Sequence, residues 1–324
     1  MTLLRVGLCP ALSTDVLESL NKASIKTVLD FVCSDLEKLS QVCSVSYKVL
    51  VSIRRLLLAQ YSSYPVNGTD LYNDVMSVVA ILPTGCSSLD ELLDGGLYTS
   101  EVLEIAGGSG VGKTQLCTSI AASIAVSSEQ NVNVLYIDTS GGFSCQRLQD
   151  MMVARNIPEK AMIAAFQRIQ CTKVFDLFEV IQLLENTKHS IDSGSDTFYS
   201  ALKVVVLDSV TAIVAPVIGG QQTEGHAMMM HLGRALKGLA AEYSIAVLLT
   251  NNLVQGSGGE KKPALGRTWL HVPHTRILVS CNKGDGDPSL VVATEQRHVK
   301  LIKSSRQPLN IVRMFKIGDQ GAYS

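Results

Sequence analysis

The sequence lacks the features that mark secreted, membrane-spanning and zinc-binding proteins. Its eight cysteines are scattered, and the closest two, Cys33 and Cys43, stand ten positions apart, which excludes a Cys-x-x-Cys motif. No apolar run approaches the about 20 residues that cross a bilayer. The first residues contain no basic segment followed by a long apolar one, so we expect no secretory signal. Scattered cysteines without a pairing pattern indicate a reducing, intracellular compartment.

Charge of either sign is also scarce. Charged residues make up 18% of the chain, the hydrophobic content is 46%, and the formal net charge is −1. The overall field therefore does not attract nucleic acid, and any nucleic-acid site has to be a local basic patch. The 324 residues suffice for one large α/β domain and a smaller domain beside it.

The strongest pattern present is a glycine-rich stretch, Gly107-Gly108-Ser109-Gly110-Val111-Gly112-Lys113-Thr114. It matches the phosphate-binding loop G-x-x-x-x-G-K-[ST] at every specified position. Glycines let backbone N–H groups converge on a triphosphate, while the lysine ammonium meets the phosphates and the threonine hydroxyl suits Mg²⁺. An apolar strand before the loop and a helical pattern after it give the expected context. The stretch predicts binding of ATP with Mg²⁺.

A second nucleotide feature lies further along the chain. The apolar run Val204-Val205-Val206-Leu207 ends at Asp208, so a buried strand delivers a carboxylate to the edge of the sheet. Many buried strands end in aspartate, but after a phosphate-binding loop this pattern is informative. We expect Thr114 and Asp208 to hold Mg²⁺ together.

The chain divides into three parts by its residue patterns. Residues 1–60 have apolar positions at helical spacing and predict a small all-α domain that binds DNA or a partner protein. Residues 61–80 carry turn formers and little periodicity, which predicts a linker. Residues 81–324 alternate strands and helices, which predicts an α/β core with a mostly parallel sheet and helices on both faces. In this core, residues 188–200 predict a polar surface loop, and the last strands look antiparallel.

Two loops of the core are candidates for DNA contact. The first spans residues 216–222, and the second spans residues 253–267, which are glycine-rich and carry more basic than acidic side chains. A flexible basic loop can follow a phosphate backbone, although a solvated turn explains the same composition. The candidate residues are Gly219, Gly220, Gln221 and Gln222 in the first loop, and Lys261, Lys262 and Arg267 in the second.

Taken together, these motifs resemble the core of the RecA-type ATPases. Within that group the chain is similar to the eukaryotic recombinases of homologous recombination, the Rad51 family. The resemblance starts at residues 84–97, continues through the phosphate loop with Gln115 after it, and covers nearly the whole chain. Further segments are similar to one particular paralogue of the family, namely residues 6–10, 64–68, 219–222 and 303–308.

The resemblance implies a RecA-like P-loop ATPase core preceded by a helical domain, with ATP bound between adjacent subunits. It also implies that both candidate loops face single-stranded or branched DNA. Arg147 matches a position that stacks on adenine, although by its own pattern it is an exposed helical arginine. The implied partners are other recombinase paralogues, with no membrane association, and the implied location is the nucleus.

Two positions depart from the family's pattern. The recombinases carry a glutamate just past the strand that ends at Asp138, and this chain has Ser140 there. A serine hydroxyl does not accept a proton from water near pH 7, and losing a positioned base typically costs ~10²–10⁴-fold in rate. Asn252 stands where the family usually has a glutamine that couples the γ-phosphate to the DNA loop. We therefore expect firm ATP binding, slow hydrolysis and altered coupling.

Several functions remain open from the sequence. The first is an ATP-binding subunit of homologous recombination that assembles with other paralogues and supports the strand-exchange filament. The second is an autonomous recombinase, which Ser140 and the lack of a clear aromatic-x-x-Ala motif in the linker disfavour. The third is a P-loop kinase for small molecules, which residues 115–132 disfavour because they offer no basic lid. A scaffold that does not bind DNA agrees with the nearly neutral net charge.

Overall fold

The chain forms two compact units, Met1–Asp74 and Val75–Ser324, in the computed structural model. Each unit has its own apolar core, and each is described by itself. The structure describes residues 4–62, 65–127, 132–194, 196–218, 223–256, 259–281 and 295–324.

The first unit is helical up to residue 61. Its core contains Phe31, Leu50, Ile53 and Leu57, none of which is exposed to solvent. The helices are α1 Thr14–Lys22, α2 Val28–Cys33, α3 Leu36–Cys43 and α4 Tyr47–Tyr61. Of these core residues, Phe31 comes from α2 and the other three come from α4, so the core depends on packing between helices and not on any single amphipathic helix.

Side chains begin these helices, though not always at the expected residue. Ser13 caps α1, as its position before the apolar pattern predicts. Ser34 was expected to open α3, but Asp35 does so, with its Oδ1 accepting a hydrogen bond from Glu37 N at 3.0 Å. A carboxylate is the stronger acceptor for first-turn N–H groups. The capping box forms instead at the start of α2.

The segment predicted as a linker contains a helix, α5, which spans Gly68–Val78. Asn67 begins it, because its Oδ1 accepts hydrogen bonds from Thr69 N at 3.0 Å and Asp70 N at 2.9 Å. Asn-Gly is a turn signal in sequence, but asparagine is also a preferred N-cap residue. The local pattern therefore predicted the break in the chain and missed the helix that follows it.

The second unit is built around one mixed sheet with helices on both sides. Its strands are β1 Ile81–Leu82, β2 Leu97–Tyr98, β3 Val102–Gly107, β4 Asn133–Asp138, β5 Ile169–Lys173, β6 Leu202–Asp208, β7 Ala246–Asn251, β8 Leu253–Gln255, β9 Lys261–Pro263, β10 Thr275–Ser280, β11 Gln296–Lys303, β12 Val312–Gly318 and β13 Gly321–Tyr323. Its helices are α6 Ser87–Leu92, α7 Lys113–Val126, α8 Cys145–Ala154, α9 Glu159–Gln167, α10 Leu177–Ser193, α11 Thr197–Ser200, α12 Val210–Ile218, α13 Thr223–Tyr243 and α14 Gly266–Trp269.

In the described part of the chain the main sheet has nine strands, in the order β13-β12-β11-β10-β3-β7-β6-β4-β5. The run from β10 to β5 is parallel, and β11, β12 and β13 continue it antiparallel. The predicted fold class, a RecA-like core with a mostly parallel sheet, is confirmed. The last strands were expected to be antiparallel, and β10 pairs antiparallel with β11 on one side and parallel with β3 on the other.

The central strands are buried on both faces, and this explains their continuous apolar runs. Leu103 and Ile105 of β3 join the core under α7, whereas the neighbouring Val102 joins the core under α13. The alternation follows from the two-residue period of a strand. The phosphate loop leaves β3 at the edge of the sheet where the parallel strands end, which is where ligands bind in such folds.

Some predicted loops are helical. The polar segment at residues 188–200 is largely covered by α10, which continues to Ser193, and by α11. Asp196 begins α11 by accepting a hydrogen bond from Phe198 N at 2.8 Å, so acidic composition here indicates a cap and not a loop. In the first candidate DNA loop, Pro216 lies inside α12.

Other predictions fall outside the described residues. Gly219, Gly220, Gln221 and Gln222 of the first candidate DNA loop lie there, as does a strand predicted at residues 290–294. Over the described residues, no helix has both the length and the apolar character needed to cross a bilayer.

Candidate nucleotide site and basic ribbon

The phosphate loop joins β3 to α7 through backbone that only glycine adopts easily. Gly110 and Gly112 have φ angles of +77° and +98°, in the left-handed region. A Cβ atom on Gly112 would collide with Ile317, and one on Gly107 would lie 2.9 Å from the carbonyl oxygen of Val279. The glycines therefore keep the loop tight against the sheet and leave room above it.

The start of α7 fits a phosphate group. Its N-cap is Gly112, which has no side chain to cap the first-turn N–H groups. Lys113 Nζ donates hydrogen bonds to the carbonyl oxygens of Gly107 and Gly108, each at 2.9 Å, and these bonds hold the ammonium over the loop. Burial lowers the pKa of Lys113, and the negative charge of Asp208 opposes that shift. A glycine cradle, a helix N-terminus and a cation together suit a triphosphate.

The predicted Mg²⁺ carboxylate lies at the end of β6 and is held from two sides. Asp208 is 2% exposed, and its Oδ2 accepts a hydrogen bond from Tyr136 Oη at 3.0 Å. Its Oδ1 accepts one from the Thr250 hydroxyl. Each carboxylate oxygen has about two acceptor sites, so both oxygens keep capacity for a metal-bound water. Together with the Thr114 hydroxyl, this is the hard oxygen set that Mg²⁺ prefers.

The loop after β4 is folded around Asp138, which the sequence did not single out for this role. Asp138 Oδ1 accepts hydrogen bonds from the backbone N–H groups of Ser140, Gly141 and Gly142 at 3.1, 2.8 and 3.1 Å. Its Oδ2 accepts one from Phe143 N at 3.1 Å. Since backbone amides occupy both oxygens, the carboxylate orders the loop. An aspartate before Ser-Gly-Gly was the available signal.

Ser140 lies beside the phosphate loop, as expected. A Cβ atom built on Gly142 would lie 3.4 Å from Ser140 Oγ and 3.4 Å from Thr114 Cγ2, so these two side chains flank the same point. Ser140 Oγ is itself 3.4 Å from Asp138 Oδ1. The side chain that this loop presents near Thr114 is therefore a hydroxyl.

Arg147 joins α8 to α7 and to the C-terminal hairpin. Its Nε donates to Gln115 Oε1 at 2.8 Å, on the first turn of α7 after the phosphate loop. Its Nη1 and Nη2 donate to the carbonyl oxygens of Asp319 and Gly318 at 3.1 and 2.6 Å. The guanidinium is thus fixed in place between α8, α7 and the C-terminal hairpin. Stacking on adenine stays a prediction for this residue.

Part of the second candidate DNA loop is paired as strands. Strands β8 and β9 form a two-stranded antiparallel ribbon in which Val254 pairs with Lys262. We call residues 253–263 the basic ribbon. Lys262 Nζ forms an ion pair with Glu260 Oε1 at 2.6 Å, whereas Lys261 is exposed and, in the described part of the chain, meets no carboxylate at ion-pair distance. Arg267 lies outside the ribbon, in α14.

Asn252 lies between the nucleotide site and the basic ribbon. Its backbone N–H donates to Thr211 Oγ1 at 2.9 Å, and its carbonyl oxygen accepts from Ala264 N at 2.8 Å, while its side chain is exposed. These contacts fix the backbone at the point where β7 ends and the ribbon begins. The structure therefore brings the predicted sensor position next to the ribbon.

Comparison with known proteins identifies the family. A sequence model described as Rad51 matches residues 75–323. The chain belongs to the Rad51 family. Residues 1–60 match a model described as RAD51D, N-terminal domain, which confirms the predicted similarity to one paralogue, paralogue D.

Relatives within the family cover almost the whole chain. The chain is 48% identical over 322 residues to the DNA repair protein RAD51 homolog 4 of Mus musculus, which covers 99% of this chain and 96% of the mouse protein. The protein of the same name from Bos taurus is 46% identical over 99% of this chain and 97% of its own length. The probable DNA repair protein RAD51 homolog 4 of Dictyostelium discoideum is 31% identical over 86% of each chain. Members of the Rad51 family act in DNA repair and recombination.

Proposed function

We propose that this chain binds ATP with Mg²⁺ and serves as a repair subunit that hydrolyses ATP slowly. Gly107 to Thr114 would hold the phosphates, and Thr114 and Asp208 would hold the metal ion. Bound Mg²⁺ supplies charge neutralisation at the phosphates. The chain's own residues supply the cradle, the Lys113 ammonium and an ordered loop that carries Ser140.

One observation carries the proposal of slow hydrolysis. Asp138, at the end of β4, accepts backbone hydrogen bonds on both oxygens, and Asp208, at the end of β6, is the proposed metal carboxylate. On the loop after β4, Ser140 Oγ and Thr114 Cγ2 flank the same point, and a serine hydroxyl orients water but does not take its proton near pH 7. The nucleotide would therefore stay bound for long periods and act mainly as a structural ligand.

Replacing the serine by glutamate tests this proposal. Ser140→Glu places a carboxylate on a loop whose backbone is already fixed by Asp138, and we expect the ATPase rate to rise by roughly 10²-fold or more. The affinity for a non-hydrolysable ATP analogue should change little, because the phosphate loop is unaltered. Steady-state phosphate release and analogue titration measure the two quantities. Ser140→Gln is the matched control, with similar size and no base.

Two results would contradict slow hydrolysis by this mechanism. The unmodified chain, alone and without DNA, would have to turn over ATP as fast as a full recombinase. Alternatively, Ser140→Glu and Ser140→Gln would have to give equal rates, which would mean that the missing base does not limit turnover.

We further propose that the basic ribbon contacts single-stranded or branched DNA. Support comes from an exposed pair of lysines on a two-stranded ribbon at the end of β7, next to the nucleotide site. Phosphate contacts of this kind release counterions and make binding depend on salt. Because Lys262 is paired with Glu260, Lys261 should contribute more to DNA binding. Gly219 to Gln222 and Arg267 remain candidate DNA contacts by resemblance alone.

The comparison of two lysines tests the DNA proposal. Lys261→Ala should flatten the slope of log affinity against log salt by about one unit, and Lys262→Ala should flatten it by less. Glu260→Gln frees Lys262 and should strengthen binding. Fluorescence anisotropy of labelled single-stranded DNA across a salt series measures all three. Unchanged slopes in every variant would exclude the ribbon as a DNA site. An unmodified chain without salt-dependent DNA binding would favour a small-molecule kinase or a scaffold.

We also propose that the chain works in the nucleus, assembled with other paralogues of its family. Its nucleotide would then organise neighbours and DNA in support of the strand-exchange filament. Purification of the protein from cells, followed by mass measurement of the intact complex, tests this directly. A mass that fits unlike subunits supports the proposal, and a series of multiples of this chain alone would support an autonomous recombinase.

A further inference from the structure

The side chain of Asn251 uses its hydrogen-bonding groups to join three separate segments. Its Nδ2 donates to Glu104 Oε1 on β3 at 3.0 Å and to the carbonyl oxygen of Ala264 at 3.2 Å. Its Oδ1 accepts from Thr211 Oγ1 on α12 at 2.7 Å. Asn251 is fully buried. A buried amide whose donors and acceptor are all engaged holds its neighbours in one arrangement.

Asn251 is next to both regions of interest. In the sheet its Cα pairs with Ala106, the residue directly before the phosphate loop. On the other side it borders Asn252, where the ribbon begins, and Ala264 closes the ribbon after β9. One side chain thus connects the strand that carries the phosphate loop to the base of the basic ribbon.

The last residues of β7 reach opposite faces of the sheet. The hydroxyl of Thr250 donates to Asp208, the proposed Mg²⁺ carboxylate, on the face that packs under α7. Asn251 points to the other face, because successive side chains alternate along a strand. A displacement of Asp208 would therefore shift the end of β7 at Thr250. The next residue, Asn251, bonds the base of the ribbon.

The partner of Asn251 on β3 is a rigid anchor. Glu104 is fully buried, and its Oε2 accepts hydrogen bonds from Trp269 Nε1 at 2.8 Å and Arg276 Nη2 at 3.0 Å. Arg276 Nε lies 2.8 Å from the other oxygen and completes a buried ion pair. Breaking such a pair is strongly unfavourable, so Glu104 stays fixed. We therefore expect any movement in the other two segments that Asn251 bridges.

We propose that Asn251, acting with Thr211, is a positioning residue that transmits nucleotide occupancy to the basic ribbon. This inference rests on the proposed binding of ATP and DNA. Thr211 Oγ1 donates to Asn251 and accepts from the backbone of Asn252, so the same hydroxyl fixes both residues. Removing it loosens the ribbon's base without touching the phosphate loop or the lysines.

The test uses the 324-residue chain with a single hydroxyl removed and then restored. Thr211→Val has nearly the same shape as threonine but neither donates nor accepts, whereas Thr211→Ser keeps the hydroxyl. Thr187→Val is the matched control, because Thr187 is also buried and, in the described part of the chain, its hydroxyl donates within α10 to the carbonyl oxygen of Leu183. Thermal unfolding of the variants verifies that all are folded.

The decisive readout is the coupling factor, the ratio of single-stranded DNA affinities with and without a non-hydrolysable ATP analogue and Mg²⁺. Such factors are typically about 5- to 150-fold, and we expect Thr211→Val to bring the factor close to one. Thr211→Ser and Thr187→Val should keep the unmodified value. A purely structural role for the hydroxyl would lower both affinities and leave their ratio unchanged.

The outcomes separate this inference from the function on which it rests. If the unmodified chain binds both ligands and Thr211→Val retains the coupling factor, the inference is wrong and the binding proposal stands. The same holds if the unmodified chain binds both ligands with a factor of one. If the unmodified chain does not bind ATP, the proposed function fails and the inference fails with it.

Trp269 provides a readout that does not need DNA. It is the one tryptophan in the sequence, and its Nε1 donates to the same Glu104 that holds Asn251. We expect the ATP analogue to change the tryptophan emission of the unmodified chain and of Thr211→Ser, but not of Thr211→Val. If the chain binds ATP and not DNA, this pattern supports the inference, and equal responses in all variants would overturn it.

Discussion

The two loops that border the candidate nucleotide site differ in the functional side chains that they carry. The phosphate loop, residues 107–114, has every glycine, lysine and hydroxyl that triphosphate binding requires. The loop at residues 139–143 has a backbone anchored by Asp138, but it presents Ser140 where the resemblance to the recombinases implies a carboxylate. In the proposed function, holding a nucleotide and hydrolysing it are therefore properties of separate segments. One property can be weakened by a single residue while the other stays intact.

The largest effect should come from the phosphate loop. Lys113→Ala removes the half-buried ammonium that donates to the carbonyl oxygens of Gly107 and Gly108. Charged hydrogen bonds contribute about 1.5–3 kcal/mol each, so we expect the affinity for ATP to fall by at least about 10²-fold. Isothermal titration with a non-hydrolysable analogue measures the loss. Lys160→Ala, an exposed lysine on α9, is the matched control.

One result for Lys113 would contradict this assignment. If Lys113→Ala binds ATP as tightly as the unmodified chain, the phosphate loop is not the segment that binds ATP. The assignment of the site would then have to start again from Asp208 and Arg147.

Disrupting the loop at residues 139–143 should lower the stability of the protein and the turnover of ATP, and it should leave the affinity for ATP unchanged. Asp138→Asn turns one acceptor oxygen into a donor that faces another donor, the N–H of Phe143 or those of Ser140 to Gly142. We expect a loss of about 1–3 kcal/mol in the free energy of unfolding. The variant should also cancel the rate gained by Ser140→Glu, because the new carboxylate would no longer be positioned.

Chemical denaturation and ATPase assays on the single and double variants test this expectation. Asp150→Asn is the control, since Asp150 is an exposed carboxylate on α8 that accepts from one side chain, Gln146. A double variant of Asp138 and Ser140 that turns over ATP as fast as Ser140→Glu alone would show that loop order is not needed.

The parts of this molecule that the sequence predicted are those specified by neighbouring residues. The phosphate loop, the strand ending at Asp208 and the cap at Ser13 each depend on a contiguous pattern, and the structure forms them. The alternation of strands and helices in the core also follows from the residue pattern, because parallel strands require long, usually helical connections. The resemblance to the Rad51 family then extended these local predictions to the whole core.

The parts that were missed depend on contacts between distant residues or on residues with two roles. Glu104 and Asn251 are 147 positions apart, and nothing near either residue indicates their hydrogen bond. Asn67 and Asp196 belong to types that favour both turns and helix caps, and only packing decides between the two. The glycines near the ribbon suggested flexibility, and no local pattern indicated that Val254 would pair with Lys262.

The smallest effect should come from Arg147, which joins α8 to α7 and to the C-terminal hairpin. Arg147→Lys keeps the charge but loses the planar fork that reaches Gln115 and two carbonyl oxygens together. We expect ATP affinity to fall by about threefold to tenfold, near 1 kcal/mol, with the turnover of bound ATP unchanged. Arg168→Lys is the matched control, because Arg168 donates to one carbonyl oxygen, that of Ala125. Arg147→Lys could instead lower the turnover of ATP and leave the affinity for ATP unchanged. The arginine would then act with the Ser140 loop in hydrolysis, and the proposed assignment of binding and hydrolysis to separate segments would have to be redrawn.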